Sequence, residues 1–229
     1  MKKFLIFGIL LLAAVIVLGC SGFGTKTGQG TVVATIADAR ADMGPVSSVI
    51  ITVDSVEIHS NASGWVTLSD TPATYDLLAL KLSNDQVLLS NVNISSGTYE
   101  QARLIISKVV VTDSNGTHDA KLPSSELKIV GTTVVAENET SVIKFDFLVN
   151  ESLHVTGSGQ YIMAPVVFFE SKSNATVNIG SDNTVEVGDG QVRESTKVGM
   201  DENGVVGVGK GIPNNVDLTL LTNGKISRG

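Results

Sequence analysis

A second cysteine is the first thing this 229-residue sequence lacks: Cys20 stands alone. One thiol cannot close an intrachain disulfide, so a folded domain here must be stable on packing. Basic charge is also short, with 16 Lys and Arg against 23 Asp and Glu and a formal net charge of −7. An acidic surface of that kind repels phosphate backbones and anionic headgroups, which argues against nucleic acid as a partner. Helical patterning is thin, because no window holds an apolar 3.6-residue period long enough to compete with strands. Catalytic signatures are missing as well. His-Glu-x-x-His and Gly-x-Ser-x-Gly do not occur, and His59, His118 and His154 are not at metal-ligand spacing.

What is present begins at the N-terminus. Lys2 and Lys3 precede the apolar run Phe4–Leu18, and Gly19 leads directly into Cys20. This is the layout of a secretory signal peptide, with a hydrophobic stretch too short for a comfortable transmembrane span. Val17-Leu18-Gly19-Cys20 resembles the lipobox of exported prokaryotic lipoproteins, in which the cysteine is lipidated and becomes the mature N-terminus. The expected layout is a signal peptide over 1–19 and a lipidated flexible tether over 20–29. The partner at this end is membrane lipid, held through Cys20. An uncleaved anchor with an incidental cysteine is the alternative, and both place the domain outside the cytoplasmic membrane. Losing Lys2 and Lys3 takes 16 basic side chains to 14 against 23 acidic ones, so −7 becomes −9.

From Gly30 onward the pattern is β. Thr31–Ile36 is rich in β-branched residues, and Val46–His59 alternates with a phase change between Val53 and Val56 that predicts a bulge near Asp54-Ser55. Asn61–Gly64 reads as a turn into Trp65–Leu68, a hairpin. Further strands are expected over Gln86–Leu89, Tyr99–Thr112, Leu127–Val130, Thr132–Ala136, Ser141–Val149 and Tyr161–Glu170. Tyr75–Leu80 is expected to form one or two helical turns. Many short strands between turn residues imply an all-β antiparallel sandwich over 30–170. Ser171–Gly229 has ten glycines and no aromatic residue. It is expected to be a loosely packed β extension with short runs at Thr176–Ile179, Thr184–Val187, Val205–Val208 and Val216–Leu221.

Several blocks in this map resemble the DUF4382 family, a domain of unknown function in exported and often lipid-anchored prokaryotic proteins. They are Ile36–Ala39, Val49–His59, Gly64–Leu68, Tyr75–Leu80, Gly97–Leu104 and Ala164–Val167. The resemblance covers about Gly30 to Glu170, and Arg40 departs from it where the family usually has proline. It implies a β-sandwich of immunoglobulin-like or transthyretin-like architecture and implies no activity. Within the blocks, Trp65 is expected to cap the core with its indole N–H on a carbonyl, the alternative being a binding-surface aromatic. Arg103 is expected to pair with Asp38 or Asp76.

The remaining motifs are weak as chemistry. Asp113–Asp119 has oxygen ligands around a glycine, but Asn115-Gly116 between two β-runs is more simply a type I′ hairpin turn. Gly207–Gly211 lacks the spacing of a phosphate loop. Ser152 and His154 lie two residues apart without a third catalytic partner. No cofactor, metal or catalytic residue is therefore expected. Asn-x-Ser/Thr occurs at Asn61, Asn93, Asn115, Asn138, Asn150 and Asn174, more often than composition alone would give. In an exported chain this predicts N-glycosylation, and beside a lipobox it favours an archaeal surface. The expected function is a lipid-anchored surface protein with a binding, adhesion or scaffold role toward an envelope protein or carbohydrate. Two alternatives are an exported hydrolase around Ser152 and His154, and a subunit that pairs by its edge strands.

Overall fold

The computed structural model describes residues 28–38, 43–83 and 86–229. The expected signal peptide over 1–19, Cys20 with residues 20–27 of the expected tether over 20–29, and Arg40 lie outside the described residues. The chain opens with β1 (Gln29–Asp38), β2 (Ser48–Ser60), β3 (Gly64–Ser69) and β4 (Ala73–Asp76), then the short helix α1 (Leu77–Ser83). It continues with β5 (Gln86–Ser95), β6 (Gly97–Asp113), β7 (Gly116–Asp119), β8 (Glu126–Val135) and β9 (Thr140–Phe147). One helical turn, α2 (Val149–Ser152), leads into β10 (Leu153–Val155), β11 (Tyr161–Met163) and β12 (Val166–Ser173). The last part holds β13 (Val177–Ile179), β14 (Thr184–Val187), β15 (Gln191–Met200), β16 (Val206–Val208), β17 (Leu218–Leu220) and β18 (Ile226–Arg228).

These strands form an all-β sandwich. One sheet has the order β13-β14-β5-β1-β9-β12-β15-β16, and β1 with β9 is its parallel pair. In the facing sheet β2 pairs with the long β6, while β3 and β4 share the outer edge of β2 and β7 and β8 that of β6. Alternating residues from both sheets meet in one core, including Ile36, Ile51, Leu104, Ile129, Phe145 and Phe169. The Phe145 and Phe169 rings sit edge to face at 5.6 Å. A second apolar layer of Val33, Val142 and Val185 lies outside the larger sheet, under the β13–β14 hairpin. That is why β1 is buried on both faces and reads as a near-continuous apolar run rather than an alternation.

The bulge expected near Asp54 is present. Asp54 and Ser107 both fall out of the β2–β6 register, and Ser107 Oγ donates to Asp54 Oδ1 at 2.7 Å. The β2–β3 hairpin is also as expected, with His59 opposite Trp65. Other boundaries moved. Leu127–Val130 and Thr132–Ala136 merge into β8, because Gly131 lets the Phe169 ring approach where a Cβ would stand 2.8 Å from it. The run Tyr161–Glu170 splits into β11 and β12 around Ala164-Pro165, since proline cannot donate to a ladder. Tyr75 and Asp76 finish β4, and α1 starts after them. Asp76 Oδ1 accepts the Leu78 N–H at 3.1 Å, while Oδ2 accepts from Ser48 Oγ at 2.8 Å. The β6–β7 hairpin is not type I′: Asp113 pairs with Gly116, and Gly116 (φ 127°), rather than Asn115, takes the positive φ.

The glycine-rich segment is not loose where it joins the sheet. β15 lies beside β12, and Val198 and Met200 are buried in the main core. The β17–β18 hairpin packs on β11 through Ile162, Leu218 and Ile226. The registers also define two ends. Gln29, Ser95, Gly97, Val135 and Thr140 gather at one, while Asp38, Thr112, Phe147, Val166 and Gly199 gather at the other.

Candidate functional site

The end opposite Gln29 gathers Asp113, Asn115, His118 and Tyr161. Asp113 closes β6, and tertiary packing brings Tyr161 of β11 to it. The Tyr161 hydroxyl donates to Asp113 Oδ2 at 2.7 Å, and the Asn115 N–H donates to Oδ1 at 2.7 Å. His118 Nε2 stands 3.2 Å from the same Oδ1, and the His118 and Tyr161 rings are 5.7 Å apart. The Tyr161 hydrogen bond first, then that from Asn115, stabilises the charged carboxylate and lowers its pKa to about 2. Protein donors thus reach both Asp113 oxygens, and these bonds tie the end of β6 to its turn and to β11.

Two clefts flank this end, both walled by the C-terminal segment. One, of about 340 Å³, is lined by Glu151, Val166, Lys210, Ile212 and Asn214. The other, of about 320 Å³, is lined by Lys121, Pro123, Glu202, Lys225 and Ile226. Ion pairs hold their rims: Lys197 Nζ lies 2.6 Å from Glu151, Lys210 Nζ 3.4 Å from Asp201, and Arg228 2.5 Å from Glu202. Both clefts carry charged side chains of each sign beside an isoleucine, a mixed lining suited to contact with a polar partner.

Ser152 and His154 are not assembled for nucleophilic attack. Ser152 Oγ donates to the Leu148 carbonyl at 2.7 Å and accepts the Val166 N–H at 2.8 Å, so it fastens α2 to β12. His154 is buried on β10, its Nε2 has no partner among the described residues, and burial lowers its pKa. Lys210, in the glycine-bearing loop after β16, bonds Asp201. Among the described residues no three His, Cys, Asp or Glu side chains come together to hold a metal ion.

A second polar surface lies on the solvent side of the β2–β6 sheet. Trp65 is not in the core as expected: it is 36% exposed on the outer face, because β3 pairs with β2 so that Trp65 falls opposite the outward-facing His59. The two rings are 5.1 Å apart, and the Arg103 guanidinium sits 3.9 Å from the centroid of the Trp65 ring. Arg103 does not meet Asp38 or Asp76. Its Nε donates to Glu57 Oε2 at 2.6 Å, and Nη1 lies 3.5 Å from Glu126 Oε1. Asp38 instead accepts the Val149 N–H at the start of α2. Glu57 and Glu126 were unreadable as partners from sequence, since they face Arg103 only through the cross-strand registers of β2 and β8.

All six sequon asparagines are exposed. Asn61 lies in the β2–β3 turn, Asn93 on β5, Asn115 in the β6–β7 turn, Asn138 in the β8–β9 turn, Asn150 on α2 and Asn174 after β12. Asn138 and Asn174 adopt left-handed backbone angles of 59° and 51°. Among known protein families, the model of a domain of unknown function (DUF4382) matches residues 29–165. No curated protein and no solved structure matches the chain.

Proposed function

We propose that this chain, which belongs to the DUF4382 family, is a lipid-anchored cell-surface protein with a non-catalytic binding, adhesion or scaffold role. Cys20 is the lipid attachment point, and the end opposite Gln29 is the contact surface. The observation that carries this reading is the polarity of the sandwich: β1 enters at one end, and the clefts lined by Lys210 and Lys225 open toward the other. The nine residue steps from Cys20 to Gln29 reach at most roughly 30 Å, so an anchored chain keeps the Gln29 end near the bilayer. Supporting a non-catalytic role, Ser152 spends its hydroxyl on main-chain groups and His154 is buried.

The test is capture of a partner from intact envelopes with the anchored protein. Lys121→Glu with Lys225→Glu should abolish capture, and Lys128→Glu, on the outer face of β8, should not. A soluble Cys20→Ser form separates specific contact from membrane proximity. Capture unaffected by the cleft substitutions, or reproducible turnover by the purified domain, would overturn the reading. A second reading, an edge-pairing subunit, draws on β16: it is the terminal strand of its sheet, and Val208 there is 75% exposed.

A further inference from the structure

The β2–β3 turn places a sequon beside the chain's only tryptophan. Asn61–Ser63 form a three-residue loop closed by the Ser60–Gly64 pair, and the Ser63 N–H donates to Ser60 Oγ at 3.0 Å. Gly64 takes φ 69°, so the turn is tightly specified. Ser60 points inward and is buried, and the alternation that turns Glu57 and His59 outward ends there, with Asn61 exposed as the first residue of the turn. Asn61 thus lies in the same hairpin as Trp65, two residues after His59, which itself faces Trp65.

We propose that Asn61 carries an N-linked glycan whose first pyranose rings lie back on the uncovered part of the Trp65 ring. The proposal rests on the exported, surface-exposed reading above. In the attachment step Asn61 Nδ2 bonds to the anomeric carbon of a lipid-linked glycosyl phosphate donor. The bond from that carbon to the phosphate oxygen breaks, the lipid phosphate leaves, and the transferase takes one Nδ2 proton. The part of the ring left open by Arg103 and His59 offers an apolar surface to the C–H face of a sugar. Arg103, Glu57 and Gln101 beside it offer planar donors and acceptors to hydroxyl groups. The Arg103 charge is already met by Glu57 and Glu126, so the surface makes no call for an anion. Covalent attachment supplies a local concentration on the order of millimolar, enough for weak stacking that a free sugar would not sustain. No other sequon has an exposed Trp, Tyr or Phe within four residues: Phe147, three before Asn150, is buried, and the ring near Asn115 is the His118 imidazole, which bonds Asp113.

Trp65 is the one tryptophan, so emission excited at wavelengths where tyrosine does not absorb reports this surface alone. The full-length protein from its own host should emit at shorter wavelength, and resist acrylamide quenching more, than its Asn61→Gln variant. Asn93→Gln and Asn174→Gln should change neither. Asn61→Gln should lower Tm by about 2 °C, and that loss should vanish in a Trp65→Ala background. Peptide mass spectrometry showing Asn61 unmodified, or modified with unchanged Trp65 emission, overturns the proposal. So does an equal blue shift of unglycosylated protein by submillimolar chitotriose, which would make this a site for free sugar. Partner capture at the opposite end is independent of these outcomes, so the two readings fail separately.

Discussion

Cutting the chain where its family match ends should unfold it. Residues 29–165 stop one residue short of β12, yet β12 lies between β9 and β15 inside the larger sheet. Truncation after Pro165 removes Val167, Phe169, Val198 and Met200, all at most 2% exposed. At about 1.5–3 kcal/mol for each fully buried side chain, the loss is roughly 6–12 kcal/mol. Phe145 also loses its edge-to-face partner, worth about 0.5–1.5 kcal/mol more. A domain of this kind holds about 5–15 kcal/mol in total. The assay is guanidinium unfolding followed by circular dichroism on three forms, 28–165, 28–173 and 28–229. The longest should show one cooperative transition and the shortest none. The 28–173 form keeps Val167 and Phe169 but loses Val198 and Met200, about 3–6 kcal/mol, and should unfold at markedly lower denaturant. If 28–165 unfolds cooperatively near the midpoint of 28–229, the argument that the glycine-rich segment completes the core is wrong.

Three further outcomes are expected. A double-mutant cycle of Trp65→Leu and Arg103→Met should give a coupling of about 0.5–1 kcal/mol in thermal unfolding, and zero coupling would mean the stacked geometry contributes nothing. Asp113 has its folded pKa lowered to about 2, so its contribution to stability is complete above the unfolded value near 3.9 and is lost as pH falls through about 2. Tyr161→Phe removes the largest cause, and carboxyl NMR titration should show the Asp113 pKa rise toward the ordinary range. His154 has its folded pKa below the ordinary 6.5 because of burial, so the unfolded chain binds the proton first and stability falls as pH drops below about 6.5. His154→Gln should flatten that slope in denaturation curves taken between about pH 6.5 and pH 5, and an unchanged slope would assign it to other groups.

The strand content was legible because its signals are local. The alternation over Val49–Ile58 marks a half-buried strand, its phase slip marks the Asp54 bulge, and Asn61–Gly64 marks a hairpin. Where sequence reading went wrong, a long-range partner decided the outcome. Gly131 looked like a break until the Phe169 ring filled its bare backbone. Trp65 looked like core, since a large aromatic after a turn usually is, but register on β2 turned it outward. The strand β15 went unrecognised because Gln191–Lys197 is polar; only Val198–Met200, at its end, is buried, and no short window shows that.

By itself, the sequence determined the all-β class, the lack of an intrachain disulfide, the net negative charge and a single cysteine placed directly after the apolar run Phe4–Leu18 and Gly19. Each of these follows from composition or from spacing within a few residues. Tertiary structure alone decided that Arg103 meets Glu57 rather than Asp38, that Tyr161 depresses the Asp113 pKa, and that Ser152 is a fastener. It also decided that Val198 and Met200 of the glycine-rich tail belong to the main core. Those outcomes depend on which strands lie side by side and in what register, and register is set by burial across the whole sandwich rather than by any local run of residues.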